Sequence, residues 1–252
     1  MSLRPIVHAD AEAGGRAVAE RVFDLAAEAI RARGAFAIAV SGGRSPETMF
    51  RAFAARRAGA VEGEPWTVLW CDERVVPPDD PRSNFGLARR LWLAPARVPA
   101  ERILPVPTEL PAEQAADRYD ELLRERFAPG ASSPRPRQAF DVAVLGLGPD
   151  GHTASLFPGR PSLAVVGRWS VAERSPTQEP RVPRVTLTLE AIAHARHAIF
   201  LAWGPEKRPV LSSLFSDDGT TGARDLPAGR VRAQESVEWH VDRSAWPTGP
   251  TA

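Results

Sequence analysis

The chain has 252 residues, of which 43% are hydrophobic and 25% are charged, and this composition suffices for one domain with a sizeable apolar core. Its 32 basic and 31 acidic residues leave a net charge of +1, which argues against an electrostatic surface for nucleic acid or for a membrane. The single cysteine cannot form an internal disulfide, and no apolar run approaches the roughly 18 residues that span a bilayer.

These exclusions predict a soluble protein of the reducing cytoplasm, since the N-terminal region also lacks the pattern of a signal peptide. We expect residues 1–252 to form one domain that functions as a monomer, with 246–252 as a flexible tail. Every basic residue except Lys207 is arginine. This bias, with abundant Ala and Pro, suggests a GC-rich bacterial genome, and the single lysine either reflects chance or marks a place that needs a compact ammonium group.

Hydrophobic periodicity predicts strands that alternate with helices. In chain order we expect a helix at 11–33, a strand at 35–40, a helix at 46–57, a strand at 67–71, a helix from about 84, a polar helix at 111–127, a strand at 140–145, short strands near 169–173, 184–189 and 197–203, a helix near 205–215 and a last strand at 237–241. The stretch 128–138 is predicted to be an exposed connection. This order predicts an α/β fold of the Rossmann-like kind, an open and mostly parallel twisted sheet with helices on both faces.

The first candidate site is the turn Ser41-Gly42-Gly43-Arg44-Ser45-Pro46, which joins a buried strand to a helix. Its backbone N–H groups and the positive end of the helix dipole can hold a phosphate, and the hydroxyls of Ser41 and Ser45 can add hydrogen bonds. The spacing differs from that of a nucleotide P-loop. The alternative is an ordinary turn whose serine caps the helix.

The second candidate site follows the next strand, at Asp72-Glu73-Arg74. The guanidinium of Arg74 can bind a phosphate or carboxylate in a forked geometry, or can pair with its acidic neighbours on the surface. Asn84 stands at the start of the following helix, where it can cap the helix or face a ligand. The position after a buried strand favours ligand binding.

The third candidate site follows the strand at 140–145. Gly146, Gly148 and Gly151 match the dinucleotide fingerprint, but prolines within and shortly after the match rule out the long helix that the fingerprint requires. Asp150 and His152 lie two residues apart in this loop, so that the carboxylate can orient the imidazole for acid–base chemistry.

Two further basic residues are predicted near the same edge of the sheet. Arg184 precedes the strand at 185–189, and Lys207 opens the helix after the strand that ends near 203. The remaining histidines lack the spacing of metal ligands, so no metal site is predicted.

Together these motifs resemble the glucosamine-6-phosphate isomerase/6-phosphogluconolactonase family, and its lactonase branch most closely. The resemblance spans nearly the whole chain. It is carried by Ser41-Gly42-Gly43-x-Ser45-Pro46, Asp72-Glu73-Arg74-x-Val76-Pro77, Ser83-Asn84, Gly146-x-Gly148-x-Asp150-Gly151-His152-Thr153-Ala154-Ser155-Leu156-Phe157-Pro158, Pro183-Arg184-Val185-Thr186-Leu187-Thr188, Gly204-x-Glu206-Lys207-Arg208 and Leu226-Pro227-Ala228. Ser45 stands where a threonine is usual, which keeps the hydroxyl.

The resemblance implies hydrolysis of 6-phospho-D-glucono-1,5-lactone to 6-phospho-D-gluconate, the second step of the oxidative pentose phosphate pathway, with neither a metal nor an organic cofactor. It implies that His152 activates water and that Asp150 orients His152. Arg74 and Lys207, with the Gly42-Gly43 turn and Ser45, would hold the phosphate or the developing anion, and Ser41, Asn84, Gly148 and Arg184 complete the expected binding site.

Two alternatives stay open. A glucosamine-6-phosphate deaminase shares the turn and the Asp-Gly-His motif, but typically has Asp-Glu-Tyr in place of Asp72-Glu73-Arg74 and an acidic residue in the run that corresponds to 154–158. A non-catalytic sugar-phosphate sensor would use the same fold as an effector domain. No DNA-binding helix pair precedes the fold to support that reading.

Overall fold

The computed structural model describes residues 5–56, 65–127, 140–174, 176–215 and 225–246. Its strands are β1 Ile6–His8, β2 Phe36–Val40, β3 Trp66–Trp70, β4 Asp72–Arg74, β5 Ile103–Leu104, β6 Val142–Gly146, β7 Ser170–Glu173, β8 Arg184–Leu187, β9 His197–Ala202 and β10 Ser236–Asp242. Its α-helices are α1 Ala11–Arg33, α2 Glu47–Ala55, α3 Asn84–Ala88, α4 Ala112–Phe127, α5 Leu189–Ala193 and α6 Arg208–Leu214. A π-helical turn, Arg89–Leu93, and 3-10 turns at Ala100–Arg102, Pro161–Ala164, Pro205–Lys207 and Pro227–Arg230 complete the described elements.

The central sheet has seven parallel strands in the order β1-β10-β9-β6-β2-β3-β5. After β2 the chain adds β3 and β5 on one side, and it then returns to place β6, β9 and β10 on the other. The order of strands therefore reverses between β2 and β6. In open α/β sheets a ligand binds outside the carboxyl ends of the strands at such a point, so the fold directs attention to the loops after Val40 and Gly146.

A second, three-stranded antiparallel sheet, in the order β4-β8-β7, lies outside the predicted architecture. Residues 72–74 were predicted only as a binding motif after the strand at 67–71, but they form a strand of their own, β4, which pairs with Arg184–Thr186. The strands predicted near 169–173 and 184–189 exist as β7 and β8, and they belong to this sheet. The α/β class with a mostly parallel main sheet is confirmed.

The core beneath one face of the sheet is aromatic. Trp66 and Trp92 are fully buried and contact Phe53, whose ring centroid lies 4.7 Å from that of Trp92 and 6.3 Å from that of Trp66. The close packing of α1 on α2 requires Gly15, because a Cβ there would lie 2.2 Å from Oγ1 of Thr48. The helix α1 begins after Asp10, which accepts a hydrogen bond from the amide of Ala13.

The predicted connection at 128–138 lies outside the described residues, as does the predicted tail 246–252 except for Trp246. The ring of Trp246 packs against Phe215 at a centroid distance of 5.5 Å, so this residue is not part of a free tail. Among the described helices, none combines the length and the apolarity that a bilayer span requires.

Candidate active site

A cavity of about 520 Å³ opens at the carboxyl ends of β2 and β6, where the strand order reverses. Every residue predicted from the sequence lines this cavity except Asp150 and Asn84. The predicted residues in its walls are Ser41, Gly42, Gly43, Ser45, Arg74, Gly148, His152, Arg184 and Lys207. The three sequence motifs and the two separate cations therefore meet in one place.

The turn after β2 is built as a close backbone approach. Gly43 has a φ of 82°, and a Cβ on Gly42 would lie 1.9 Å from Oδ1 of Asn84, so both positions favour glycine. The helix α2 starts after Pro46 without a side-chain cap, and the proposed alternative of a capping serine is therefore not what the structure shows. Trp203 fixes the turn by donating Nε1–H to the carbonyl of Ser45 at 2.8 Å.

Asn84 does not face the cavity, contrary to its predicted contact with ligand. It is buried at the start of α3, where its Nδ2 donates to the carbonyl of Asp72 at 2.8 Å. Ser83, not Asn84, caps the helix by accepting the amide of Gly86 at 3.0 Å. Asn84 thus supports Gly42 and Asp72 from behind.

Glu73 is a structural carboxylate whose role the sequence did not indicate. It is 1% exposed and accepts the amides of Arg74, Asn84 and Phe85 at 2.7, 2.7 and 2.6 Å. The hydroxyl of Ser83 donates to it at 3.2 Å. Burial raises the pKa of Glu73 to about 7 against the opposing effect of these amides. The carboxylate joins Arg74 to the start of α3 and closes the loop between them.

Two guanidinium groups stand opposite each other in the small sheet, because Arg74 of β4 pairs with Arg184 of β8. Arg74 donates from Nη1 to the carbonyl of Arg82 at 2.6 Å. Arg184 is 2% exposed, and burial lowers its pKa while the charge of nearby Asp72 raises it. The hydrogen bonds that both groups make in the described part of the chain go to carbonyl and hydroxyl oxygens. Both guanidinium groups line the cavity, where they can contact an anion.

Asp150 and His152 form a short contact in the loop after β6. Nδ1 of His152 lies 2.5 Å from Oδ1 of Asp150, and the amide of His152 donates to the same oxygen at 3.2 Å. Partial burial opposes ionisation of Asp150, but the hydrogen bonds and charge of His152, with a further hydrogen bond from Gln178, lower its pKa to about 2. Asp150 thus stays ionised behind the imidazole and holds one ring nitrogen.

The loop needs glycine at 148, because a Cβ there would lie 2.0 Å from Nδ1 of His152. The amide of Gly148 donates to the carbonyl of His152 at 2.8 Å, and Gly151 turns the chain with a φ of 82°. His152 packs against buried Phe157 at a centroid distance of 4.6 Å, and the guanidinium of Arg184 lies over the same ring at 5.3 Å. Phe157 therefore brings the imidazole of His152 and the guanidinium of Arg184 to the same side of the cavity.

Lys207 ends the 3-10 turn Pro205–Lys207, and the helix α6 begins one residue later, at Arg208. Burial lowers the pKa of Lys207, and the charge of neighbouring Glu206 raises it. Glu206 is itself 3.6 Å from Arg44 of the turn after β2. The ammonium group is thus half-buried in the cavity wall beside that turn.

Within the described residues, no group of three or more His, Cys, Asp or Glu side chains is placed to hold a metal. The cavity instead offers one imidazole held by a carboxylate, a backbone turn at a helix N-terminus, and four cationic side chains, those of Arg44, Arg74, Arg184 and Lys207. This set can deprotonate a water molecule, bind a phosphorylated substrate and stabilise an oxyanion.

Residues 9–239 match the family described as glucosamine-6-phosphate isomerases/6-phosphogluconolactonase. A human 6-phosphogluconolactonase is 37% identical over 235 residues, which cover 92% of this chain and 88% of that protein. A solved 6-phosphogluconolactonase from Trypanosoma cruzi superposes with a TM-score of 0.82 at 28% identity and covers 97% of both chains.

A monomeric glucosamine-6-phosphate deaminase superposes with a TM-score of 0.76 over 96% of this chain and 98% of its own, but at 16% identity it shares the fold alone. The agreement between the family match, these relatives and the motifs gathered in the cavity settles the assignment. The chain belongs to the glucosamine-6-phosphate isomerase/6-phosphogluconolactonase family.

Proposed function

We propose that the chain is a 6-phosphogluconolactonase, which hydrolyses 6-phospho-D-glucono-1,5-lactone to 6-phospho-D-gluconate. The observation that carries this proposal is the contact of 2.5 Å between Asp150 and His152 at a cavity whose walls also hold Arg74, Arg184 and Lys207. Hydrolysis of a lactone on a phosphorylated sugar needs two things from the protein: a general base and fixed positive charge.

His152 acts as the base. Nδ1–H donates to Asp150, which leaves Nε2 without a proton and able to accept one from water. The water oxygen attacks C1 of the lactone and forms a tetrahedral oxyanion. The C1–O5 bond then breaks, and the imidazolium returns its proton to O5, which becomes the C5 hydroxyl. One water is consumed, one acid is formed, and no covalent intermediate is required.

The phosphate is held by the turn of Gly42, Gly43 and Ser45 with Lys207 beside it. Backbone N–H groups at the start of α2 and a compact ammonium group suit a dianion. Arg74 and Arg184 supply further positive charge to the cavity, and Ser41 and Gly148 complete its surface. Asn84 serves this site indirectly, through Gly42 and Asp72.

The reaction proposed here places the protein in carbohydrate metabolism, and we propose further that it works as a monomer in a bacterial cytoplasm. Deamination of glucosamine-6-phosphate is disfavoured because residues 154–158 hold no acidic side chain. A non-catalytic sensor would not need an imidazole oriented by an ionised carboxylate.

The test generates the lactone in situ with glucose-6-phosphate dehydrogenase and follows acid release in weak buffer. We expect release by the wild type far above the spontaneous rate, and a return to nearly that rate for His152→Ala. Full activity in His152→Ala would refute the proposed base. A wild type that matches the spontaneous rate would refute the lactonase, and formation of fructose-6-phosphate and ammonia from glucosamine-6-phosphate would then be measured.

A further inference from the structure

The segment 176–183, which we call the strap, crosses from β7 to β8 beside the cavity. Arg184 anchors it, since Nη2 donates to the carbonyls of Gln178 and Pro180 at 3.1 and 3.0 Å. The amide of Val75 fixes the far end by donating to the carbonyl of Pro183 at 2.8 Å. The strap is therefore held by the small sheet that carries the arginine pair.

The side chain of Gln178 leaves this anchor and reaches the catalytic loop. Its Nε2 donates to Oδ2 of Asp150 at 3.1 Å, while His152 occupies the other oxygen, Oδ1. Each oxygen of the carboxylate thus has its own donor. Rotation about χ2 of aspartate is soft, so a second donor on Oδ2 fixes the plane of the carboxylate and with it the direction of the bond to His152.

We propose that Gln178 is a positioning residue that holds Asp150, and through it His152, in register with the cation Arg184. A single residue makes both connections, by its carbonyl to Arg184 and by its amide group to Asp150. The inference rests on the proposed lactonase function and extends it, because it joins the anion-binding wall to the acid–base pair through one residue.

The first experiment compares Gln178→Ala with Gln178→Glu by steady-state kinetics on the in situ lactone. Gln178→Ala removes a partly exposed hydrogen bond to a charged group, and we expect this to lower kcat by about tenfold and to change KM by less than about threefold. Gln178→Glu keeps the shape but replaces the donor with a carboxylate that faces Asp150. At pH 8 it should lose at least as much kcat as the alanine variant.

The pH profile separates positioning from mere packing. Two carboxylates that share one contact raise the pKa of one of them, so the glutamate of Gln178→Glu takes up a proton as the pH falls and becomes a donor again. We expect its kcat, relative to wild type at the same pH, to recover between pH 8 and pH 5.5. Gln178→Ala has no group that can recover, and its relative kcat should stay flat.

Arg181→Gln is the matched control in the same strap. Its side chain is 72% exposed and pairs with Glu179, so both kcat and KM should stay within about twofold of wild type. The anchor is tested by Arg184→Lys, which keeps a positive charge but loses the fork that holds the two carbonyls. Its loss of kcat should be smaller in the Gln178→Ala background than in the wild type, because the connection is already broken there.

Unchanged kcat in both Gln178 variants, or a Gln178→Glu variant as active as wild type at pH 8, would overturn the positioning role while leaving the lactonase intact. Additive effects of Gln178→Ala and Arg184→Lys would overturn the connection to Arg184. A wild type without lactonase activity would instead remove the proposed function on which the inference rests.

Discussion

Gly148→Ala should displace the imidazole of the proposed base, His152, without unfolding the protein. A Cβ at this position would lie 2.0 Å from Nδ1 and 2.2 Å from Cε1 of His152, whereas real contacts of this kind exceed about 3 Å, so the ring must move by about 1 Å. That shift breaks the contact of 2.5 Å with Asp150. A misplacement of about 1 Å costs on the order of 100-fold in rate, and we expect kcat to fall by about that factor.

The assay is acid release from the in situ lactone, with thermal unfolding measured in parallel. Gly146→Ala is the folding control, because a Cβ there meets no atom within 4 Å. Both variants should unfold within a few degrees of wild type, since His152 is a side chain that can swing aside. A Gly148→Ala variant with wild-type kcat would refute the reasoning, because it would show that the position of the ring does not limit the reaction.

Three further predictions concern single groups. Lys207→Met should raise KM by about 10- to 100-fold and keep kcat within about threefold of wild type, because a charge-assisted hydrogen bond to phosphate is worth about 1.5–3 kcal/mol. Steady-state kinetics in which kcat falls and KM does not change would contradict a role of Lys207 in phosphate binding. On folding, the pKa of Asp150 falls from 3.8 to about 2. Its ionised form therefore adds up to about 2 kcal/mol to the free energy of unfolding above pH 4, and this is lost as the pH falls through 2. When unfolding in urea is measured between pH 4 and pH 2, Asp150→Asn should lack this part of the pH dependence. Burial raises the pKa of Glu73 from 4.5 to about 7, so ionising this group costs free energy in the folded protein and the free energy of unfolding should fall as the pH rises from 4.5 through 7. Glu73→Gln should unfold with a flatter dependence on pH over that range, and an unchanged slope would contradict the assignment.

The main sheet was predictable because its inner strands are continuous apolar runs. The predictions at 35–40, 67–71, 140–145 and 197–203 correspond to β2, β3, β6 and β9, which are buried almost throughout. The edge strands β1 and β5 were missed, since they have three and two residues and carry little pattern. The antiparallel sheet was missed because β4 has three residues and pairs with a strand more than 100 positions away.

That the motif residues gather around one cavity was predictable, but the contacts that connect them were not. Each motif follows a strand, and the parallel arrangement brings the carboxyl ends of such strands to one edge; this alone gathers His152, Lys207 and the turn at 41–45. No local pattern indicates that Glu73 collects three amides or that Gln178 reaches Asp150. The contacts of Glu73 depend on how the loop folds back over it, and Gln178 lies 28 residues from Asp150 in an irregular segment without periodicity. Asn84 is the opposite case: the sequence predicted that it binds the ligand, but it lies outside the cavity and supports Gly42 and Asp72.

The partners of the acidic residues in the cavity bear on which reaction this fold performs. Lactone hydrolysis needs one base that takes a proton from water and returns it to the leaving oxygen. The acidic side chains that line the described cavity all have a polar or cationic partner. Two accept hydrogen bonds: Asp72 from the hydroxyl of Ser155 at 2.7 Å, and Asp242 from Ser244 and from the amide of Gly204. The other two form ion pairs, Glu179 with Arg181 and Glu206 with Arg44. In the described cavity the proposed base His152 is the one imidazole, and a single group that takes up a proton and returns it fits the proposed hydrolysis.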